Sequence, residues 1–178
     1  MLWAEADLLH ELPAFKVRPA TDQIPFRWMT GTPNYACISG TIAAIQYIAS
    51  LSGVPADMSL SERLDQSFSK IQKYENRLSL QLLNGLNTCD GVTVWGITDT
   101  QKMAQRVPTF SLTFEKHTPK QVAHILAEKG IYVWSGNHYA LQFSESMGLE
   151  PGGTLRVGLL HYNTESEVDR LLDALHQL

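Results

Sequence analysis

The sequence predicts an α+β fold: a two-layer sandwich with a mostly antiparallel sheet covered by helices. Three observations predict it. Ser59 with Glu62, Thr118 with Gln121 and Thr164 with Glu167 form Ser/Thr-x-x-Glu/Gln helix starts. The spacing of apolar residues is helical before about residue 85 and switches to period two after it. The order that results is two helices, two strands, a helix, two or three strands and a final helix.

The elements follow in order. Residues 1–33 show no clear period, and Pro13, Pro19, Pro25 and Pro33 divide them into short extended pieces. They are expected to form an extended N-terminal segment draped over a domain of residues 34–178. From Tyr35, Ile38, Ile42, Ile45 and Ile48 repeat at helical spacing until Gly53 and Pro55. The second helix starts at Ser59 and carries Leu60, Leu64, Phe68, Ile71, Leu78 and Leu82 as one stripe up to Gly85. Val92 and Val94 read as strand, and Phe110, Leu112 and Phe114 alternate with Ser111, Thr113 and Glu115. Pro119 stands at the first position of a third helix that Gly130 ends. Strands are expected at 131–134, about 139–143 and 154–161. A last helix over roughly 165–177 buries Val168, Leu171, Leu172 and Leu175.

The chain's 178 residues suffice for one domain, or one with an appendage. Hydrophobic residues are 44% and charged ones 18%, a globular balance and not a disordered one. A net charge of −4 gives no electrostatic reason for a nucleic-acid or anionic-membrane partner. Polar residues interrupt every apolar stretch before it is long enough to span a bilayer. The acidic N-terminus, with Glu5, Asp7 and Glu11, is unlike a secretory signal. Cys37 and Cys89 are the only cysteines and stand far apart, so neither a disulfide framework nor a metal site is expected, and a cytoplasmic setting is. Cys37 lies among apolar neighbours and reads as core, whereas Cys89, beside Asn87 and Asp90, reads as an exposed loop residue.

Three stretches carry a family resemblance. Arg156-Val157-Gly158-Leu159-Leu160-His161-Tyr162-Asn163-Thr164 leads from strand to capped helix. Gly31-Thr32-Pro33-Asn34 precedes the helix at Tyr35. Gly130-Ile131-Tyr132-Val133-Trp134-Ser135-Gly136-Asn137-His138-Tyr139-Ala140 lies between them. Together they resemble the C-terminal part of class V aminotransferases and cysteine desulfurases, in its desulfurase-like branch. The resemblance implies the small C-terminal domain of a fold-type I enzyme that uses pyridoxal phosphate. It also implies roles: Gly31 and Thr32 at the cofactor phosphate, and Arg156, Asn137 and His138 at an amino-acid-like substrate. No catalytic residue and no metal ligand is assigned.

Each role has a plainer reading beside it. A phosphate suits the free N–H groups of a Gly-Thr-Pro-Asn run, yet Thr32 and Asn34 also suit simple capping of the helix. Arginine's rigid fork matches a carboxylate, while the common fate of a strand arginine is a surface ion pair. Leu155, Val157, Leu159 and Leu160 make the strand around Arg156 apolar on both faces, which points the cation into a cleft or at a buried partner. For His138 alone, a hydrogen-bonded structural role is the commoner one. His161 reads as packing around the Asn163–Thr164 turn. Lys16 and Arg18 read as domain packing or contact with the cofactor's edge.

Departures from the family pattern shape the functional expectation. The resemblance places the desulfurases' reactive cysteine where Tyr139 stands, and one of their basic residues where Trp134 stands. A tyrosine cannot replace a thiolate that attacks sulfur. The resemblance also places acidic residues two positions before the Gly31–Thr32 pair and soon after Asn34, where this chain has Met29 and Ala36. None of the lysines sits in a run like the family's cofactor lysine, which belongs to a preceding large domain. The expectation is therefore a cofactor-lysine-lacking domain that is inactive alone. It would act as a truncated form, as half of a split enzyme with a separately encoded large domain, or as a homodimer. A non-enzymatic self-associating or small-anion-binding module is the alternative.

Overall fold

The computed structural model describes residues 3–178, which divide into two compact units that part between Ser50 and Leu51. Each is considered by itself; residues 1 and 2 of the expected N-terminal segment lie outside the described residues.

In the first unit, two short helical pieces interrupt the extended segment: α1, Ala6–Glu11, and a 3-10 turn, Phe26–Trp28. They are tied together by side chains of the turn. Arg27 donates to the carbonyls of His10 and Leu12, and the Trp28 indole N–H donates to the Leu9 carbonyl at 3.1 Å. These bonds satisfy carbonyls that the end of a short helix would otherwise leave unpaired. Helix α2, Tyr35–Ser50, follows, with Ala49 its one buried residue.

The second unit is the expected α+β sandwich. Helix α3, Leu60–Leu86, leads to β1, Val92–Trp95, and β2, Thr109–Phe114. Helix α4, Pro119–Glu128, then β3, Trp134–Gly136, helix α5, Leu141–Ser146, β4, Thr154–Gly158, and helix α6, Glu165–Leu175, complete it. The sheet order is β1-β2-β4-β3, antiparallel throughout. Capping boxes open α3, α4 and α6 at Ser59, Thr118 and Thr164. The bonds to Glu62 and Glu167 in two of these boxes hold both carboxyls below the usual range.

One core joins the layers. Leu78, Leu82, Leu83 and Leu86 of α3 meet Phe110 and Leu112 of β2, Leu155 and Val157 of β4, Val122 and Leu126 of α4, and the apolar face of α6. Alternation along the strands puts Ser111 and Arg156 on the other face. Gly85 lets α6 approach: a methyl there would lie 2.5 Å from a Leu172 side-chain carbon.

Three expected strands differ. No strand forms over 139–143. His138 and Tyr139 instead adopt positive φ of 53° and 64°, the Ala140 N–H donates to the Asn137 carbonyl at 2.8 Å, and α5 begins. A chain reversed by such a turn cannot run on as the same strand. The strand expected at 131–134 is displaced to 134–136, because that is the stretch that finds its ladder partners in β4. The strand expected over 154–161 stops at Gly158. Leu159 still donates to the Pro108 carbonyl at 2.9 Å, and the chain then turns as the Asn163 carboxamide oxygen accepts from the Leu160 N–H.

The cysteines are reversed from expectation. Cys37 is exposed, because the α2 face that carries it is unburied, and Cys89 is buried at the end of α3. There the Cys89 thiol lies 3.5 Å from the Gly85 carbonyl and 3.5 Å from His176 Nε2, and burial, with Asp90 second, pushes its pKa up. His161 packs at the turn as expected. Its Nδ1 is 4.0 Å from a Glu75 carboxylate oxygen, and Tyr74 donates to the Asn163 carbonyl at 2.7 Å. Burial raises the Glu75 pKa, with His161 opposing.

Candidate functional site

Gly31 and Thr32 lie in the first unit, just before α2. Asn34 is the residue that caps this helix: its side-chain oxygen accepts from the Cys37 N–H at 3.0 Å. Thr32 takes no part in the cap. It is exposed, and its hydroxyl has no hydrogen-bond partner among the described residues. A methyl at Gly31 would meet nothing within 4 Å. The open backbone here leaves room for an anion of phosphate size beside the helix start.

Arg156, Asn137 and His138 lie in the second unit. Arg156 is the middle residue of β4, and its side chain is exposed on the face away from the core. The cleft or buried partner expected from its apolar flanks is not what the strand provides. Leu155 and Val157 point inward to the core, and alternation turns Arg156 outward. No carboxylate pairs with it among the described residues. The sheet register sets its neighbours. Ser111 of β2 stands directly opposite on one side and Trp134 of β3 on the other, with Trp95 of β1 beyond Ser111.

The turn after β3 brings His138 within reach of this cation. His138 Nε2 lies 3.3 Å from the Thr154 carbonyl, so Nε2–H is the donor. Its Nδ1 is enclosed without a partner. Burial, and secondarily the positive charge of Arg156, lower its pKa, so the ring stays neutral around pH 7. Asn137 spends its side-chain oxygen on the turn itself, accepting from the Tyr139 N–H at 3.1 Å. Tyr139, at the tip, is fully exposed. Two consecutive non-glycine residues at positive φ cost of order 1–3 kcal/mol each, so this turn is held by its surroundings. Gly153 is one such support, because its α-carbon packs on the backbone of Gly136 where only hydrogen fits.

Sequence reasoning singled out Arg156 and His138, and it expected a strand where the turn at His138 and Tyr139 stands. It missed the row Trp95, Ser111, Arg156 and Trp134. No signal in the sequence gives it, because cross-strand neighbours depend on register.

Among the described residues no cluster of three or more His, Cys, Asp or Glu is placed to hold a metal, and no helix is long and apolar enough to cross a membrane.

A family model described as aminotransferase class-V matches residues 14–171. A probable cysteine desulfurase of Pseudomonas putida is 32% identical over 169 residues, covering 95% of this chain and 35% of that protein. An aminotransferase-like protein of Gibberella zeae is 33% identical over 141 residues, covering 77% of this chain and 34% of that protein. Among solved structures, the apo cysteine desulfurase of Thermococcus onnurineus superposes with a TM-score of 0.70 at 25% identity, over 86% of this chain and 33% of that one. The chain thus spans about a third of the length of the curated relatives it matches.

Proposed function

Because the chain belongs to the aminotransferase class V family, we propose that it supplies the rim of a pyridoxal-phosphate active site and is inactive alone. The observation that carries the proposal is Arg156: an exposed guanidinium without an internal ion pair, beside a neutral His138, on the sheet face away from the core. Such a group suits the carboxylate of an amino-acid-like substrate. Thr32 and Gly31 would contact the cofactor phosphate, and Asn137 and His138 would line the substrate side.

The family uses pyridoxal phosphate in general, and the side chains present fit that group at one edge only. The unused hydroxyl of Thr32 suits its phosphate. The lysines do not suit its aldehyde. Lys16 pairs with Asp22, Lys70 donates to the Ser52 carbonyl, Lys102 pairs with Asp99 and Lys129 bonds Gln177. Lys73, Lys116 and Lys120 lie on α3, before α4 and on α4, in runs unlike the family's cofactor lysine. Cofactor chemistry draws electrons from the substrate's α-carbon and requires a lysine to hold the cofactor. No step of it is assigned to this chain. The lysine would come from a large domain working with this one in the cytoplasm.

One observation favours self-association as a second reading. The α2 face bearing Tyr35, Ile38 and Ile42 is about half exposed or more, an apolar surface that a second copy or a large domain would cover.

The test is reconstitution. The purified chain is incubated with pyridoxal phosphate and cysteine, alone and with the remaining two thirds of the Pseudomonas putida relative as a separate polypeptide. The expected result is no sulfide or alanine from the chain alone, and cofactor binding that appears only with the second polypeptide and weakens with Thr32→Ala. Turnover by the pure chain would overturn the proposal.

A further inference from the structure

We propose that Trp134 makes the Arg156 site selective for carboxylates that carry a flat apolar or aromatic group. This rests on the reading of Arg156 as a carboxylate-binding residue and adds the class of ligand it takes.

The β3–β4 register pairs Trp134 with Arg156. Directly paired residues share a face of the sheet, with their β-carbons about 4.5–5.5 Å apart. Trp134 is 69% exposed, so most of the indole is open to whatever docks beside the guanidinium. Nothing among the described residues binds its ring N–H. The second indole of the row differs: Trp95 is half-buried and donates to the Thr113 hydroxyl at 2.9 Å. On the other flank of Arg156 stands Ser111, small and half-buried.

A ligand held through its carboxylate by the guanidinium has the rest of its atoms free to lie along the sheet face. Toward Ser111 they meet little surface. Toward Trp134 they meet an exposed indole one cross-strand spacing away, against which a flat apolar group can pack. A basic residue at this position would instead reward a second polar or anionic group. His138 does not restore that preference, because it is buried enough to stay neutral beside Arg156. The site therefore offers one cation and one aromatic surface. It suits a monocarboxylate with an aromatic or bulky apolar end better than a small polar or dicarboxylic one.

The test titrates the intact chain with acetate and with phenylacetate by NMR, following the backbone amide resonances of β3 and β4, which every variant retains. Phenylacetate is expected to bind about two- to tenfold more tightly than acetate. Trp134→Ala should remove that difference and leave acetate affinity unchanged, while Arg156→Ala abolishes both. Far-UV circular dichroism establishes that each variant is folded. Equal affinities in the parent chain, still abolished by Arg156→Ala, would overturn the selectivity and leave the carboxylate role standing. Binding insensitive to Arg156→Ala, or no binding at all, would overturn that role and the selectivity with it. A Trp134→Ala variant that loses acetate and phenylacetate alike would mark Trp134 as structural and overturn the proposal.

Discussion

Gly153 lays its α-carbon against the backbone of Gly136, so that an added methyl would lie 2.6 Å from the Asn137 amide nitrogen and closer still to the Gly136 carbonyl. It also holds φ at +62°. This contact joins the start of β4 to the turn that carries Asn137, His138 and Tyr139.

Gly153→Ala should therefore destabilise the second unit by about 2 kcal/mol or more, since left-handed φ alone costs a non-glycine residue about 1–2 kcal/mol and the backbone clash adds to it. Urea unfolding measures the loss. A change below about 0.5 kcal/mol would mean that the turn is not supported there.

The cap of α6 gives a second prediction. Thr164 accepts from the Glu167 N–H at 3.3 Å, and the Glu167 carboxylate accepts from the Thr164 N–H at 2.7 Å. Thr164→Ala should cost about 1 kcal/mol. The Glu167 pKa is lowered by folding, first by the Thr164 backbone bond. Its contribution is thus fully present above the unfolded carboxylate pKa and is lost as pH falls through the folded one. The stability difference between the parent and Glu167→Gln should shrink as the solution is acidified across that window. A difference independent of pH would argue against the cap bond.

His138 should titrate below the ordinary imidazole range, because burial and then Arg156 disfavour its charged form. Its lowered folded pKa makes the neutral ring a stabilising feature above the unfolded histidine pKa, lost as pH falls. Arg156→Ala should raise the midpoint followed by imidazole NMR. An unchanged midpoint would show that the cation does not act on the ring.

Thiol labelling separates the cysteines. Cys37 is exposed, while Cys89 is buried with its pKa raised by desolvation. A disulfide reagent should modify one thiol per folded chain promptly and the second only on unfolding. Cys37→Ser should remove the prompt phase. Prompt loss of both thiols from the folded chain would contradict the burial of Cys89.

Much of this fold was legible because its signals are local. Ser59, Thr118 and Thr164 each sit three residues before a Glu or Gln, and each opens a helix as a capping box. The α6 stripe of Val168, Leu171, Leu172 and Leu175 is buried as its spacing requires. Tyr139-Ala140-Leu141-Gln142-Phe143 misled because its alternation imitates a strand. Left-handed φ at His138 and Tyr139 is not written into that pattern.

The sequence by itself determined the α+β class and three helix starts, because each depends on residues a few positions apart. Only the tertiary structure decided what surrounds Arg156 and Cys89. Strand register put Trp134 and Ser111 on either side of Arg156. Packing of Leu155 and Val157 into the core turned Arg156 outward. The approach of α6 to the end of α3 brought His176 to Cys89 and enclosed its thiol. These are relations between residues tens of positions apart, and burial and pairing at that range are set by how layers pack, which no local spacing encodes.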